Sequence, residues 1–264
     1  MQGLKGSSRQ VSAAANAETR YIDCADIPGT DCYCDDEAVE TIRKRFADAG
    51  IKDAGGIHFF DNGNYHYMSK IWTDMVQEPF SLVVFDHHPD MQEPRFGNIL
   101  SCGGWVKKVL EENRFIDNVV IIGVADHLVE EIRKEIASHP ADARNDNGAE
   151  SNDKITFIKE SELSSSSHPI PQRRIAPTSH LYLSIDKDAL SPAFAATNWD
   201  QGSLDIATLK EIIADLAAGH KILGIDICGE RARDFAGDEY HTVQEADALN
   251  DRINRELAEF LQNL

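Results

Sequence analysis

Residues 81–90 read SLVVFDHHPD, an apolar β-branched run that breaks off into two aspartates and two histidines. A strand without polar alternation is buried on both faces, as in a parallel sheet covered by helices. Working outward, similar runs recur at YIDCA (21–25), GIHFF (56–60), NVVIIGV (118–124), HLYLSI (180–185) and KILGIDIC (221–228). Between them lie amphipathic stretches with a helical period: DEAVETIRKRFADAG (36–50), YHYMSKIWTDMV (65–76), NILSCGGWVKKVLEEN (98–113), HLVEEIRKEIA (127–137) and SLDIATLKEIIADLAAG (203–219). A closing helix runs from about Thr242 to Leu261. This alternation predicts a three-layer α/β/α fold with a mostly parallel central sheet and right-handed crossovers.

Residues 1–20, small and polar without an apolar face, read as a flexible arm, and 21–264 as a single domain. A polar insertion from about Ser138 to Asp153 and the loop SSSSHPIPQRRIAP (164–177) read as solvent-exposed connections. The 45 acidic against 26 basic residues give a net charge of -19. That balance argues against nucleic acid and anionic membranes as partners, and it suits a small cationic substrate or peptide, although a solvated acidic surface is the commoner explanation. Five cysteines, an odd number, and no secretory leader lead us to expect a cytoplasmic protein. Cys32 and Cys34 read as loop residues. No apolar run approaches the roughly 20 residues that span a bilayer.

The ends of the apolar runs carry the chemistry. In extended chain alternate side chains share a face, so Asp86, His88 and Asp90 point together, with His87 turned away. The same parity joins Asp186 and Asp188 and sends Lys187 to the opposite side. With His66 after GIHFF, these residues lie where parallel sheets bind ligands, beyond the carboxyl ends of the strands. One D-x-H-x-D alone is as consistent with a polar strand end as with ligands. A second aspartate pair and an upstream histidine favour ligands. Four carboxylates and two imidazoles, without a thiolate, suit a pair of Mn²⁺-like ions, which would also relieve the repulsion among the acids. The remaining histidines, His58, His127, His139, His168, His180, His220 and His241, read as surface or hydrogen-bonded structural residues.

FDHHPD (85–90) resembles the D-x-H-x-D motif of the ureohydrolase superfamily (arginase, agmatinase, formimidoylglutamase), and SIDKDALSPAFA (184–195) is similar to its S-x-D-x-D-x-x-D-P-x-x-A motif. GNYHYM (63–68) stands where that family has a Gly-rich turn and its first histidine ligand. The likeness runs from about Tyr21 to the C-terminal helix and implies an arginase-like fold with two Mn²⁺ per chain. His66, Asp86, Asp90 and Asp186 would hold one ion; Asp86, His88, Asp186 and Asp188 would hold the other, with Asp86 and Asp186 bridging. The implied reaction is hydrolysis of a C–N bond in a guanidino or amidino compound, either free and arginine-like or an arginine within a peptide, by a water whose pKa the ions lower. Asp90 would direct that water and Glu230 would grip the substrate's cation. Arg95 could take a carboxylate and Asp200 an ammonium, or both could be plain loop residues. A homo-oligomer is the family's habit.

Departures from the pattern bear on the substrate. Ser191-Pro192 stands for Asp-Pro, ATNWDQGSL (196–204) replaces a Gly-rich stretch, Glu230 in GIDICGE comes one position late, and Cys102-Gly103 stands where arginases have a His-Gly. His87 and Cys102 are the nearby candidates for moving protons, with Cys102 reading more naturally as a small packing residue. Trp105 and Phe96 either wall the pocket or belong to the core. Two rival readings follow: a zinc-dependent amide deacetylase, which would need one ion on two aspartates and a histidine, and a catalytically silent metal-binding protein of the same fold.

Overall fold

The computed structural model describes residues 19–94, 97–138, 154–165 and 179–264. In chain order the first half contains β1 (Tyr33–Cys34), α1 (Asp36–Asp48), β2 (Ile57–Phe59), α2 (Met68–Thr73), β3 (Phe80–Phe85), β4 (Leu100–Ser101) and α3 (Trp105–Glu112). The second half contains β5 (Ile116–Val124), α4 (Asp126–Ser138), β6 (Ile155–Lys159), α5 (Glu160–Ser165), β7 (His180–Asp186), α6 (Ile206–Gly219), β8 (Lys221–Cys228) and α7 (Val243–Leu261). Six strands form one sheet in the order β2-β8-β7-β3-β5-β6, with every pairing parallel. The small pair β1-β4 is antiparallel and separate.

Alternating residues of the central strands feed two cores. Leu82 and Val84 of β3, with Val119 and Ile121 of β5, pack among Ile42, Phe46, Trp72 and Trp105 from α1, α2 and α3. Val83, Phe85, Val120 and Ile122 point the other way, onto Leu209, Ile213, Ile253 and Leu257 from α6 and α7. Each of these side chains contributes about 1.5–3 kcal/mol when fully removed from water, so both faces of the sheet must be covered. The result is the three-layer α/β/α arrangement. No helix among the described residues is long and apolar enough to cross a membrane.

Three element-level expectations change. Cys34 lies buried in β1 opposite Leu100, not in a loop. YIDCA forms no strand: the Arg45 guanidinium at the end of α1 takes the Asp23 carbonyl and the Asp26 carboxylate, drawing this segment onto the helix instead of the sheet. ITFIK, between two polar stretches, emerges as the edge strand β6 beside β5. Residues 1–18 of the expected arm, 139–153 of the insertion and 166–177 of the second loop lie outside the described residues.

Parallel pairing brings all strand ends to one edge, and the register sets their level. Phe85 lies opposite Ile185, and Asp186 opposite Cys228. The residue after β3 and the last residues of β7 and β8 therefore meet side by side.

Candidate metal centre

β3 ends at Phe85, so the next five residues are loop and strand parity does not order them. Asp86 Oδ1 accepts the His88 amide at 2.6 Å, an Asx-type turn, and Asp90 adopts a left-handed φ of 48°. The turn folds Asp86, His88 and Asp90 inward. His87 stays outside the cluster, edge-on to His88 at 5.4 Å, while its amide donates to Asp188 Oδ1 at 3.0 Å.

Asp186 ends β7 and its Oδ1 accepts the Asp188 amide at 3.0 Å, starting a tight turn over Lys187–Ala189 that aims both carboxylates at the loop after β3. His66 follows the turn Gly63–Tyr65, capped by Asn62. Gly63 is needed there: a Cβ would lie 2.7 Å from Trp199 Cδ1 and 3.0 Å from Asp186 Oδ2.

The six side chains and Cys228 meet in three overlapping donor sets, His66/Asp86/Asp90, Asp86/His88/Asp188 and His66/Asp186/Cys228, each with its ligand atoms within 4.8 Å of one another. His66 Nδ1 lies 3.1 Å from Asp86 Oδ2, 3.1 Å from Asp90 Oδ2 and 3.6 Å from Asp186 Oδ2. His88 Nδ1 lies 3.0 Å from Asp188 Oδ2 and 3.5 Å from Asp86 Oδ1. Asp86 thus turns one oxygen to each imidazole. The far nitrogens are held from behind: His66 Nε2 meets Ser184 Oγ at 2.8 Å, and His88 Nε2 meets Asp200 Oδ1 at 3.1 Å. With Nε2–H donating, Nδ1 of each ring keeps its lone pair for the cluster, which is how histidine ligands are oriented.

Burial, then the neighbouring carboxylates, push Asp186 up to about 7 and Asp188 up to about 6. Burial opposes the charge on His66 and His88, but hydrogen bonds to Asp86 and Asp90 around His66, and to Asp188 and Asp86 around His88, outweigh it and raise both imidazoles. The cluster therefore calls for positive charge. Asp86 Oδ2 is buried and accepts no well-directed hydrogen bond. An acceptor-only set with an orphaned carboxylate oxygen fits divalent cations.

The proposed contacts beyond the ligands fall in different places. Asp200 stands at the mouth, largely exposed, on His88. Beside it Trp199 is 42% exposed, packed edge-on to His88 at 5.6 Å and tied through Nε1 to Asn64 Oδ1 at 3.0 Å. Arg95 and Phe96 lie outside the described residues. Glu230 is drawn away from the cluster into an ion pair with fully buried Lys187, and it accepts Asn254 Nδ2 at 2.8 Å. The one-residue delay of this glutamate has a steric reason. Gly229 has φ +91°, and a Cβ on it would lie 2.4 Å from Asp186 Oδ1.

Trp105, read as pocket wall or core, is core, and its Nε1 also donates to Asp90 Oδ2 at 2.7 Å, a contact the sequence did not show. Ser184 was visible only as a motif letter. Cys228 donates from Sγ to Asp186 Oδ2 at 3.2 Å. Its signal was the level of β8 against β7, which no local pattern encodes. Cys102 is a buried thiol pushed up by burial and then by Asp90, the packing residue its sequence context suggested.

A parallel sheet with overlapping carboxylate–imidazole sets at its carboxyl edge defines a metal-binding α/β protein. Residues 2–230 match the Arginase family, and the chain belongs to it. It is 28% identical over 177 residues to an uncharacterized protein of Thermotoga maritima, covering 66% of this chain and 58% of that protein. Formimidoylglutamase from Bacillus subtilis superposes with a TM-score of 0.58 at 13% identity, covering 86% of this chain and 66% of that one. Arginase from Medicago truncatula gives 0.57 at 17% identity, covering 86% and 65%. A triple mutant of the T. brucei arginase-like protein, bound with Mn²⁺, gives 0.52 at 19% identity, covering 89% and 69%. The chain spans little more than half of the Thermotoga protein and about two thirds of each of these structures.

Proposed function

We propose that the protein is a dinuclear-metal hydrolase that cleaves a C–N bond of a guanidino or amidino compound, with Mn²⁺ as the working ion. The observation that carries this reading is the sharing of Asp86 between two donor sets that each contain one imidazole. His66, Asp86, Asp90 and Asp186 would hold one ion, and Asp86, His88, Asp186 and Asp188 the other. Bound there, the cations lower the pKa of water toward neutrality and offset developing negative charge.

The chain's own residues supply orientation. Trp105 Nε1 fixes the Asp90 carboxylate, leaving its other oxygen to accept a hydrogen bond from the attacking water. At the mouth, the Asp200 carboxylate and the face of Trp199 attract the planar cation of a guanidinium or amidinium through charge-assisted hydrogen bonding and cation–π contact. Because Lys187 already matches Glu230, we assign Glu230 to holding β7, β8 and α7 together, not to gripping substrate. With Asp200 and Trp199 both exposed, either a free cationic compound or an arginine side chain of a peptide is the proposed substrate.

Elemental analysis and a turnover panel test the reading together. Two metal ions per chain, with Mn²⁺-dependent release of urea, ammonia or an amine from arginine, agmatine, guanidinobutyrate, formimidoylglutamate or an arginine-containing peptide, are expected. One zinc per chain with amide hydrolysis would instead mark a deacetylase. Two ions without turnover on any member of the panel would mark a silent metal-binding protein.

A further inference from the structure

We propose that Cys228 is a thiolate ligand of the ion held by His66, so that the two metal positions are chemically unlike and the His66 position prefers a softer divalent ion than the His88 position. The inference rests on the dinuclear reading and deepens it.

Geometry places the sulfur. Cys228 closes β8 directly opposite Asp186, and its Sγ lies 3.2 Å from Asp186 Oδ2. That oxygen is itself 3.6 Å from His66 Nδ1. The donor atoms of His66, Asp186 and Cys228 fall within 4.8 Å of one another, and all three residues are buried. An independent observation marks the same hollow as a ligand position. Asp86 Oδ2, 1% exposed by residue and without a well-directed hydrogen bond, points at His66 Nδ1 from 3.1 Å. A buried carboxylate oxygen without a well-directed hydrogen bond, next to a thiol whose hydrogen-bond partner is also a ligand, leaves a cation as the group that satisfies both.

Binding changes no oxidation state. The S–H bond breaks, its proton leaves to solvent, and the sulfur lone pair forms the S–metal bond. A thiolate moves the preference of its site toward Zn²⁺, Co²⁺ or Fe²⁺, whereas the oxygen and nitrogen set around His88 stays suited to Mn²⁺. The His88 set lacks any sulfur.

Cobalt titration of the metal-free protein reads the sulfur directly. Thiolate-to-cobalt charge-transfer absorption is expected to develop within the first equivalent of Co²⁺, and a second equivalent is expected to bind without adding to it. Cys228→Ser should lose this band while still taking up two equivalents. Independently of any variant, X-ray absorption of the wild-type chain carrying one equivalent of Zn²⁺ should show a sulfur neighbour at about 2.3 Å. Two bound ions with no sulfur signal would overturn the assignment of Cys228 and leave the dinuclear reading standing, as would a band that survives in Cys228→Ser. A wild-type chain that takes up neither metal would overturn both.

Discussion

Asp186 sits where β7 gives way to its turn, within reach of His66, Asp188 and Cys228. Removing its carboxylate by Asp186→Ala should therefore cost at least one of the two ions and nearly all turnover, as read by elemental analysis beside a rate measurement. Full activity with both metals retained would refute the ligand scheme. Trp105→Phe is a finer probe. It keeps a buried ring beside His66 but deletes the 2.7 Å hydrogen bond to Asp90. Partners that orient ligands are worth about 10–100-fold in metal affinity. A drop of that order at one of the two sites, measured by competition with a chelator, is expected, with the other site unchanged.

Elements are tied together at the same edge by groups that touch no metal ligand's donor atoms. Lys187, Glu230 and Asn254 link the ends of β7 and β8 to α7, and Lys187 is fully buried. Glu230→Gln leaves that lysine with a neutral partner. Breaking a buried pair from one side costs about 3 kcal/mol or more, so chemical denaturation should show a loss of that order while both metals remain bound. A raised KM with unchanged stability would instead place Glu230 on the substrate. The N-terminus of α7 is held by a capping box between Thr242 and Glu245. Thr242→Ala should lower unfolding free energy by about 1 kcal/mol, without effect on metal content, because the cap is exposed and its contacts are with Glu245 in the first turn of α7.

For the molecule as a whole, the metal-free cluster links stability to pH. Asp186 and Asp188 are pushed up to about 7 and about 6, so between roughly pH 4 and 7 the folded chain holds protons that the unfolded chain has lost. Stability of the metal-free protein therefore falls as pH rises through that window. His66 and His88, raised by their carboxylate neighbours, act in the same direction: their contribution is present at low pH and is lost as pH climbs. Divalent cations replace those protons. Calorimetry should show a larger Mn²⁺-induced rise in Tm at about pH 8 than at about pH 5.5, and Asp186→Ala should flatten the difference. A rise that is the same at both values would mean that the ions bind elsewhere. Five of the six strands of the sheet and the layers were legible along the chain, because burial on two faces writes itself as unbroken apolar runs, and the six candidate ligands stood out as a group through two aspartate pairs and an upstream histidine. Even there the reason differed: a turn at Asp86 and a left-handed Asp90, not strand parity, bring FDHHPD inward. Cys228 beside Asp186, the Trp105 hydrogen bond to Asp90 and the capture of Glu230 by Lys187 were decided only by tertiary structure. Each joins residues from different elements, and which elements meet depends on strand order and register, quantities that the periodicity of any single segment does not contain.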